Sequence, residues 1–589
     1  MIFQQRVVSG QRHILALCII VILFARQAAL AEPSRIIEAE EILKKIELGQ
    51  PVKYDNVIVE GDLDLSRLDL PRATAKLVSN EKFWGATDYE VIFVVSPIII
   101  DNSIIKGSVN LKETAFQNTI DFSGTRFEGI VYLSSSKFNE TADFREAEFN
   151  QTATFQSVQF NQTADFSGAQ FNQTADFSGA QFNKNFYYFS WQNIMRGIES
   201  KGTGYITHYT EFTGAQFSQE ADFSRAQFNQ KVDFWEAQFN QTAYFSEAQF
   251  NQTSGFRNAQ FNQKATFAAA QFNQTADFTE AHFSQIVYFR YAQFNQTAYF
   301  WGAQFNQTAD FWISQFNQNA DFSEVQFNQI AYFSGAQFNG IAGFRSAQFN
   351  QTADFSGVQF NQESYFEDAG FFNVSFKNSQ LSKETFFQGA QIKGTLSLYR
   401  TKYDTLNIRW SSIHDLAYDD TAYHLLIQNF NKLGFGDDAR ECQYSYRCKH
   451  REELFRQHKF DGWLFDLLAW ASYGYGLRPV RPLGWAALLI LMGGLFFFLT
   501  RSVSRSKASP SEKRPLALRK REEKPEGRVS ISEAILLSAT YFTSGASSII
   551  SATPTEFVPV GRGRYVVVIL RLMGWIFFVL FLSSLTRTV

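Results

Sequence analysis

Phenylalanine stands at 160, 166, 171, 177 and 182 in the stretch FNQTADFSGAQFNQTADFSGAQFN, so its spacing alternates between six and five. Neither an amphipathic helix nor a plain two-residue strand alternation has that period. The unit is eleven residues long: AQFNQ, a linking Thr, then ADFSG, with Ala two places before each Phe. Its centres run through Phe116, Phe122, Phe127, Leu133 and Phe138 to Tyr188, then resume at Phe212 and continue to Phe371. Beyond that they turn aliphatic at Leu381, Ile392, Leu398, Ile408 and Ile413. A repeat of this kind predicts a solenoid. Each short piece forms one side of a four-sided coil. Phe160, Phe166, Phe171, Phe177 and Phe182 point inward as the repeat core, Ala fits beside them, and the polar residues face water. Two units, 22 residues, close a turn and set Phe on Phe, with backbones paired at about 4.8 Å. Burying one Phe contributes about 1.5–3 kcal/mol before entropy, so only the stacked array is stable. The 65 Phe among 589 residues need such a repeated role, because a general core would mix in more Leu, Ile and Val.

ADFSG (164–168) and AQFNQ (169–173) resemble the pentapeptide-repeat family, whose pattern is A(D/N)LXX, here with Phe at the centre. The inserted Thr174 is similar to an eleven-residue variant of that family. The resemblance covers 57–413 and implies an all-β fold, a right-handed quadrilateral β-helix. The extra residue either bulges one corner or opens the coil. Two breaks, 71–97 and 190–211, lose the spacing and read as loops projecting from the rod. The second, with Trp191 and Tyr205, is either a protein-partner contact or a tolerated insertion. Residues 32–56 hold PSRIIEAEEILKKIELG, which predicts a helix over the rod's open end, with Ser34 as cap and Gly49 as stop. The recurring NQT fits the glycosylation sequon, but the repeat itself demands these residues as a polar ladder.

The two ends of the chain are different in kind. Arg6, Arg12 and His13 precede an apolar run, Ile14 to Ala25, and AALAEP offers a small-residue cleavage site after Ala31. Residues 1–31 therefore read as a signal peptide, or an uncleaved anchor, and either exports the rod. After the rod, 414–472 reads as a helical joint and 473–589 as an α-helical membrane domain. PLGWAALLILMGGLFFFLT (482–500) and YVVVILRLMGWIFFVLFLSSL (565–585) are long enough to span, the second with Arg571 inside it. Between them lie a basic loop, 501–528, and SISEAILLSATYFTSGASSIIS (530–551), where Ser530 and Glu533 form a capping-box start.

This order of elements resembles the two-helix pore module of the potassium-channel superfamily. Residues 561–588 look like the second helix of prokaryotic members fused to pentapeptide repeats, which implies a bacterial protein. The resemblance assigns Ser538, Tyr541, Thr543 and Gly545 to a pore-like segment and implies a homo-oligomer. The chain departs from it in the filter. A potassium filter needs a TVGYG-like run whose carbonyls replace the ion's water, and TSGASSIISATP (543–554) stands there. GYG at 474–476 precedes the first span and reads as a boundary loop. The signal puts the rod in the periplasm or outside the cell, and the positive-inside rule puts 501–528 in the cytoplasm. The pore-like segment then dips from the cytoplasmic side, the reverse of ordinary two-helix channels. Arg571 faces a wet interior or an oligomer contact, or snorkels to the interface.

The net charge of −3 gives no case for a nucleic-acid partner. Cys442 and Cys448 lie six apart in a helical segment and read as ordinary thiols. Neither HExxH, a P-loop nor a Cys/His cluster occurs, so no enzyme activity, metal or cofactor is expected. Asp165, Asp176, Asp277 and Asp354 share the position before the central Phe and read as a sparse solvated row. Two functions remain: a scaffold or sensing ectodomain with an ion-channel-like module, or a purely structural or protein-binding scaffold on a non-conducting anchor in the bilayer.

Overall fold

The computed structural model describes residues 35–75, 89–182, 209–381, 384–505, 529–544 and 557–588. The signal segment 1–31, most of the 190–211 break, most of the 501–528 loop and Gly545 lie outside them. The chain divides into two compact units, Met1–Ala417 and Tyr418–Val589.

The first unit is a parallel β-solenoid. A turn contributes four two-residue strands, such as Lys137–Phe138, Ala142–Asp143, Glu148–Phe149 and Ala153–Thr154. Each pairs in parallel with the strand one turn on: Phe138 with Phe160, Asp143 with Asp165, Phe149 with Phe171 and Ala153 with Ala175. The step of 22 residues (160 − 138) is the one expected from the spacing. One ladder holds 15 strands, one per turn, which gives the rod about 15 turns. Inside, Phe stacks on Phe. The rings of Phe149 and Phe171 lie 4.7 Å apart and 1° from parallel, a separation set by the strand repeat. Neighbouring columns meet edge to face or tilted, as Phe155 meets Phe166 at 5.4 Å and 87° and Phe166 meets Phe171 at 6.3 Å and 39°, rather than as face-to-face sandwiches.

Two kinds of corner alternate. After an ADF-type Phe the chain makes a tight turn in which the amide three residues on donates to the Phe carbonyl, as Ala169 does to Phe166 at 3.0 Å. The third turn position has positive φ, at Gly168 (+68°) but also at Glu146 (+54°), Tyr291 (+59°) and Ile313 (+54°). The Asp before the Phe closes this turn: Asp165 Oδ1 accepts from the Ser167 amide at 2.9 Å and its hydroxyl at 2.6 Å. Asp176, Asp277 and Asp354 accept the equivalent amide. These carboxylates are thus turn-forming acceptors, and the expected single row is corrected to two: Asp165 and Asp277 lie on one ladder, Asp176 and Asp354 on another. The other corner, after AQF, takes the extra residue. The strands on both sides stay paired there, so the added Thr bulges a corner and leaves the coil closed. Asparagines stack along this edge, Asn273 to Asn251 and Asn295 to Asn273 at 2.6 Å and Asn317 to Asn295 at 2.7 Å.

The two breaks insert the same length of chain. Ile58 pairs with Ile104 (104 − 58 = 46) and Ala164 with Thr210 (210 − 164 = 46), so each break adds 46 − 22 = 24 residues and pairing resumes in register. Within 71–97, Tyr89–Val94 is a rung of the rod, parallel to Thr114–Phe116. Arg72–Ala75 pairs antiparallel with it and ends that ladder. Ile92 and Val94 are buried, and this two-residue alternation is what returns the segment to the coil. Tyr209–Glu211 is likewise a rung, paired with Lys231–Asp233. At these edges strand replaces the expected loop, while 76–88 and 183–208 lie outside the described residues.

A second correction concerns 32–56. Ile36–Glu38 is a strand, paired with Ile58–Glu60. The helix, α1, covers only Ala39–Glu47, with Glu38 at its start and no side-chain cap, so Ser34 is not the capping residue. The β-branched pair Ile36 and Ile37 favours the strand. Gly49, at φ +67°, follows the helix end as expected. Val52–Asp55 returns to the ladder opposite Ile98–Asp101. Ala39, Ile42, Leu43 and Ile46 of α1 are buried, and the helix packs against the strands of the first turn. At the far end the last strand, Ile413–Leu416, continues three residues past the expected limit at 413.

Candidate functional site in the helical module

The second unit is helical: α2 (Asp420–Lys432), α3 (Gly436–Arg456), α4 (Phe460–Tyr473), α5 (Val480–Thr500), α6 (Ile531–Ser544) and α7 (Gly563–Thr588). Asp419 caps α2 by accepting from the Ala422 amide at 2.8 Å. Cys442 and Cys448 on α3 are free thiols, the first buried, and burial pushes the Cys442 thiol up from its ordinary range.

A knot of arginines and aromatics joins α3, α4 and the start of α5. Arg478 forms a bidentate pair with Glu441 at 2.8 and 2.7 Å and lies 4.6 Å from the Tyr444 ring. Arg451 and Arg481 flank the Trp470 ring at 4.7 and 4.9 Å. The GYG turn sits inside this knot. Gly474, Tyr475 and Gly476 have φ of +58°, +61° and +78°. Tyr475 donates to Asp466 at 2.5 Å and accepts from Arg451 at 2.9 Å. Burial, with the Asp466 acceptor, pushes the Tyr475 phenol up. The Gly476 carbonyl accepts from Ser584 on α7 at 3.0 Å. What the sequence offers as a boundary loop is a built corner.

Helices α5 and α7 are long and apolar enough to cross a membrane. Between them packs α6, whose start carries the expected capping box: the Ser530 amide donates to Glu533 Oε2 at 2.8 Å and the Glu533 amide to Ser530 Oγ at 3.2 Å. Three glycines allow close approach. A Cβ on Gly494 would lie 2.7 Å from Ile535 Cα, one on Gly493 2.4 Å from Ser538 Oγ, and one on Gly574 1.9 Å from the Phe542 carbonyl oxygen. Phe497, Ala534, Leu537, Tyr541, Phe542, Leu570 and Phe577 form the shared core. Val503–Arg505 pairs antiparallel with Phe557–Pro559, tying the exit of α5 to the entry of α7.

The pore-like residues part company here. Ser538 and Tyr541 are buried against α5 and α7, and Arg571 stacks on the Tyr541 ring at 5.5 Å. Thr543 is exposed on α6 and donates to the Ala539 carbonyl at 2.9 Å. Gly545 is outside the described residues. The sequence reading missed Gly493, Gly494 and Gly574. Small residues inside apolar helices were the available signal. It also missed a carboxylate row on the rod. Asp121, Asp143, Asp165, Glu211 and Asp233 occupy successive rungs, and the break at 190–211 hides that Asp165 and Glu211 are neighbours. Arg145 pairs with Asp143 at 2.6 Å and approaches Asp165 at 3.8 Å. Desolvation, with Asp165 and Asp233 alongside, raises the Glu211 carboxyl. Among the described residues no group of three or more His, Cys, Asp or Glu could hold a metal ion.

Residues 133–181, 212–270, 234–281, 267–315 and 322–370 match the family model described as pentapeptide repeats (9 copies). No curated protein matches the chain. Family model and solenoid geometry agree within 133–370: those turns of the rod are built of pentapeptide repeats.

Proposed function

We propose that the chain is a membrane-anchored pentapeptide-repeat protein whose helical module is built like a two-helix pore unit, with the rod as scaffold or sensing domain. The observation that carries this reading is the course of α6. Its first turns lie against Gly494, six residues (500 − 494) from the end of α5. Near its end, Phe542 lies against Gly574, eleven residues (574 − 563) into α7. At about 1.5 Å per residue, eleven residues are about 16 Å, roughly half of a hydrocarbon core of about 30 Å. The helix enters where α5 ends and reaches mid-depth by Phe542, as a re-entrant pore helix does. One copy of two spans cannot enclose a channel, so conduction requires a homo-oligomer. Potassium selectivity is not part of the proposal, because 543–554 lacks a TVGYG-like run.

The rest of the reading comes from the family resemblance, which implies a rod coiled right-handed with a quadrilateral section, and from the signal and charge pattern, which put the rod in the periplasm or cell exterior and 501–528 in the cytoplasm. The same missing filter favours the second reading, a protein-binding scaffold on a non-conducting anchor. Planar-bilayer recording on the reconstituted full chain decides between them. Unitary currents are expected. Silence in every purified oligomer removes the pore and leaves the anchor.

A further inference from the structure

Helix α4 carries an apolar face that its unit leaves more than half exposed. Phe460, Leu464, Phe465 and Leu468 are 53, 51, 76 and 57% exposed. Their spacing puts them on one side of the helix, and α4 buries none of its residues. Its other side is engaged: Trp470 Nε1 donates to the Tyr444 hydroxyl at 3.0 Å, and Asp466 holds Tyr475.

The helix is also fixed in place. Only 474–479 separate it from α5. That corner is closed by Arg481 donating to the Trp470 carbonyl at 2.5 Å and Trp485 Nε1 donating to the Ala471 carbonyl at 2.7 Å. The exposed face therefore cannot swing away from the apolar helix that follows. Exposed Leu483, Leu488, Leu491 and Leu495 carry an apolar surface along α5. A cleft of about 470 Å³ joins the two helices, walled by Trp470, Trp485, Leu488 and the Arg481 side chain. Tryptophans beside a cation at the end of a span are the composition of a membrane–water interface. His458 and Lys459 precede the helix, and Asp461 shares the apolar side only at its first turn.

We propose that α4 lies in the headgroup–acyl boundary of a bilayer containing anionic phospholipid, with Phe460, Leu464, Phe465 and Leu468 toward the acyl chains and Lys459 and Arg481 at the phosphates. An amphiphilic helix in that plane binds by its buried apolar area and by attraction to anionic headgroups. The inference rests on reading α5 and α7 as spans.

The test uses the full chain with Cys18, Cys442 and Cys448 replaced, reconstituted in phosphatidylethanolamine–phosphatidylglycerol vesicles. Nitroxide labels go on Phe465→Cys, with Leu464→Cys as a second site should the first disturb folding. Leu491→Cys on α5 and Glu452→Cys on α3 serve as references. Collision with oxygen should exceed collision with a water-soluble nickel chelate at Phe465, Leu464 and Leu491, and the order should reverse at Glu452. If Leu491 is in lipid and both α4 labels are in water, the interfacial helix is wrong while the spans stand. If the α4 labels are shielded from both reagents, protein covers this face and the lipid assignment is overturned. If Leu491 itself is in water, the membrane reading fails and takes the inference with it.

Discussion

In the rod a Phe meets the equivalent Phe of the turn before, whereas in the helical module a glycine meets a backbone carbonyl. Over most of the rod the contacts recur at one separation. Asn161 reaches Asn139 across 22 residues, and Asn361 reaches Asn339 across the same 22. The module's contacts occur once each and span unrelated distances, 37 residues from Arg478 to Glu441 and 108 from Ser584 to Gly476. A periodic chain thus carries its contact map in its spacing, and an aperiodic one does not. Damage differs accordingly. A solenoid loses the two interfaces next to a faulty turn, while a helix trio loses its single packing arrangement.

The largest test of this contrast is Phe278→Ala, which empties one place in a column where Phe256 and Phe300 stand 4.7 and 5.0 Å away. It should cost about 3–5 kcal/mol in denaturant unfolding, with protection from hydrogen exchange lost first in the adjoining turns. Uniform loss of protection along the whole rod would refute the turn-by-turn account. Next comes Gly574→Val, whose new Cβ would sit 1.9 Å from the Phe542 carbonyl. Overpacking there should destabilise by about 1–3 kcal/mol or more, read as a lower melting temperature of the module in detergent with the rod's β signal unchanged. An unaltered melt would mean that α6 does not press on α7.

A smaller effect, of opposite sign, is expected at Ile313, a β-branched residue at φ +54°. Ile313→Gly relieves a left-handed penalty of about 1–2 kcal/mol and gives back about 0.5–1 kcal/mol in unfolded-chain entropy. A modest rise in denaturant midpoint follows, and a fall would show that the side chain's packing on Gly335 matters more than the turn. The smallest effect is pH-dependent. Glu211 has its carboxyl raised by desolvation and by the neighbouring Asp165 and Asp233. Its contribution is fully present below the ordinary Glu range and is lost as pH rises through the raised value. Glu211→Gln should therefore raise the rod's stability at neutral pH and leave it unchanged in acid. An equal gain at both pH values would rule out titration as its cause.

Much of the rod was legible because its period maps directly onto rungs. The inward Phe, the 22-residue turn and the asparagine ladder all follow from it. The turn-closing role of Asp165 was not, because an Asp before a Phe looks the same whether its carboxylate meets water or an amide two residues on. Nor was the rung at Tyr89–Val94, whose aliphatic residues lack the Phe signature. In the module, helix extents and the Ser530–Glu533 box were readable from local pattern. The arginine–aromatic knot was not, since Glu441, Arg451, Trp470 and Arg478 come from separate elements.

The sequence alone determined the solenoid and its step, and it determined that two later helices are apolar enough to span. A repeat specifies its own neighbours by translation, and hydropathy is a property of the segment itself. Only the tertiary structure decided that α6 wedges between α5 and α7 on three glycines, that GYG is a buried corner, and that Asp165 lies beside Glu211. Each depends on which distant surfaces meet, and close packing makes that a property of the assembled chain rather than of any stretch within it.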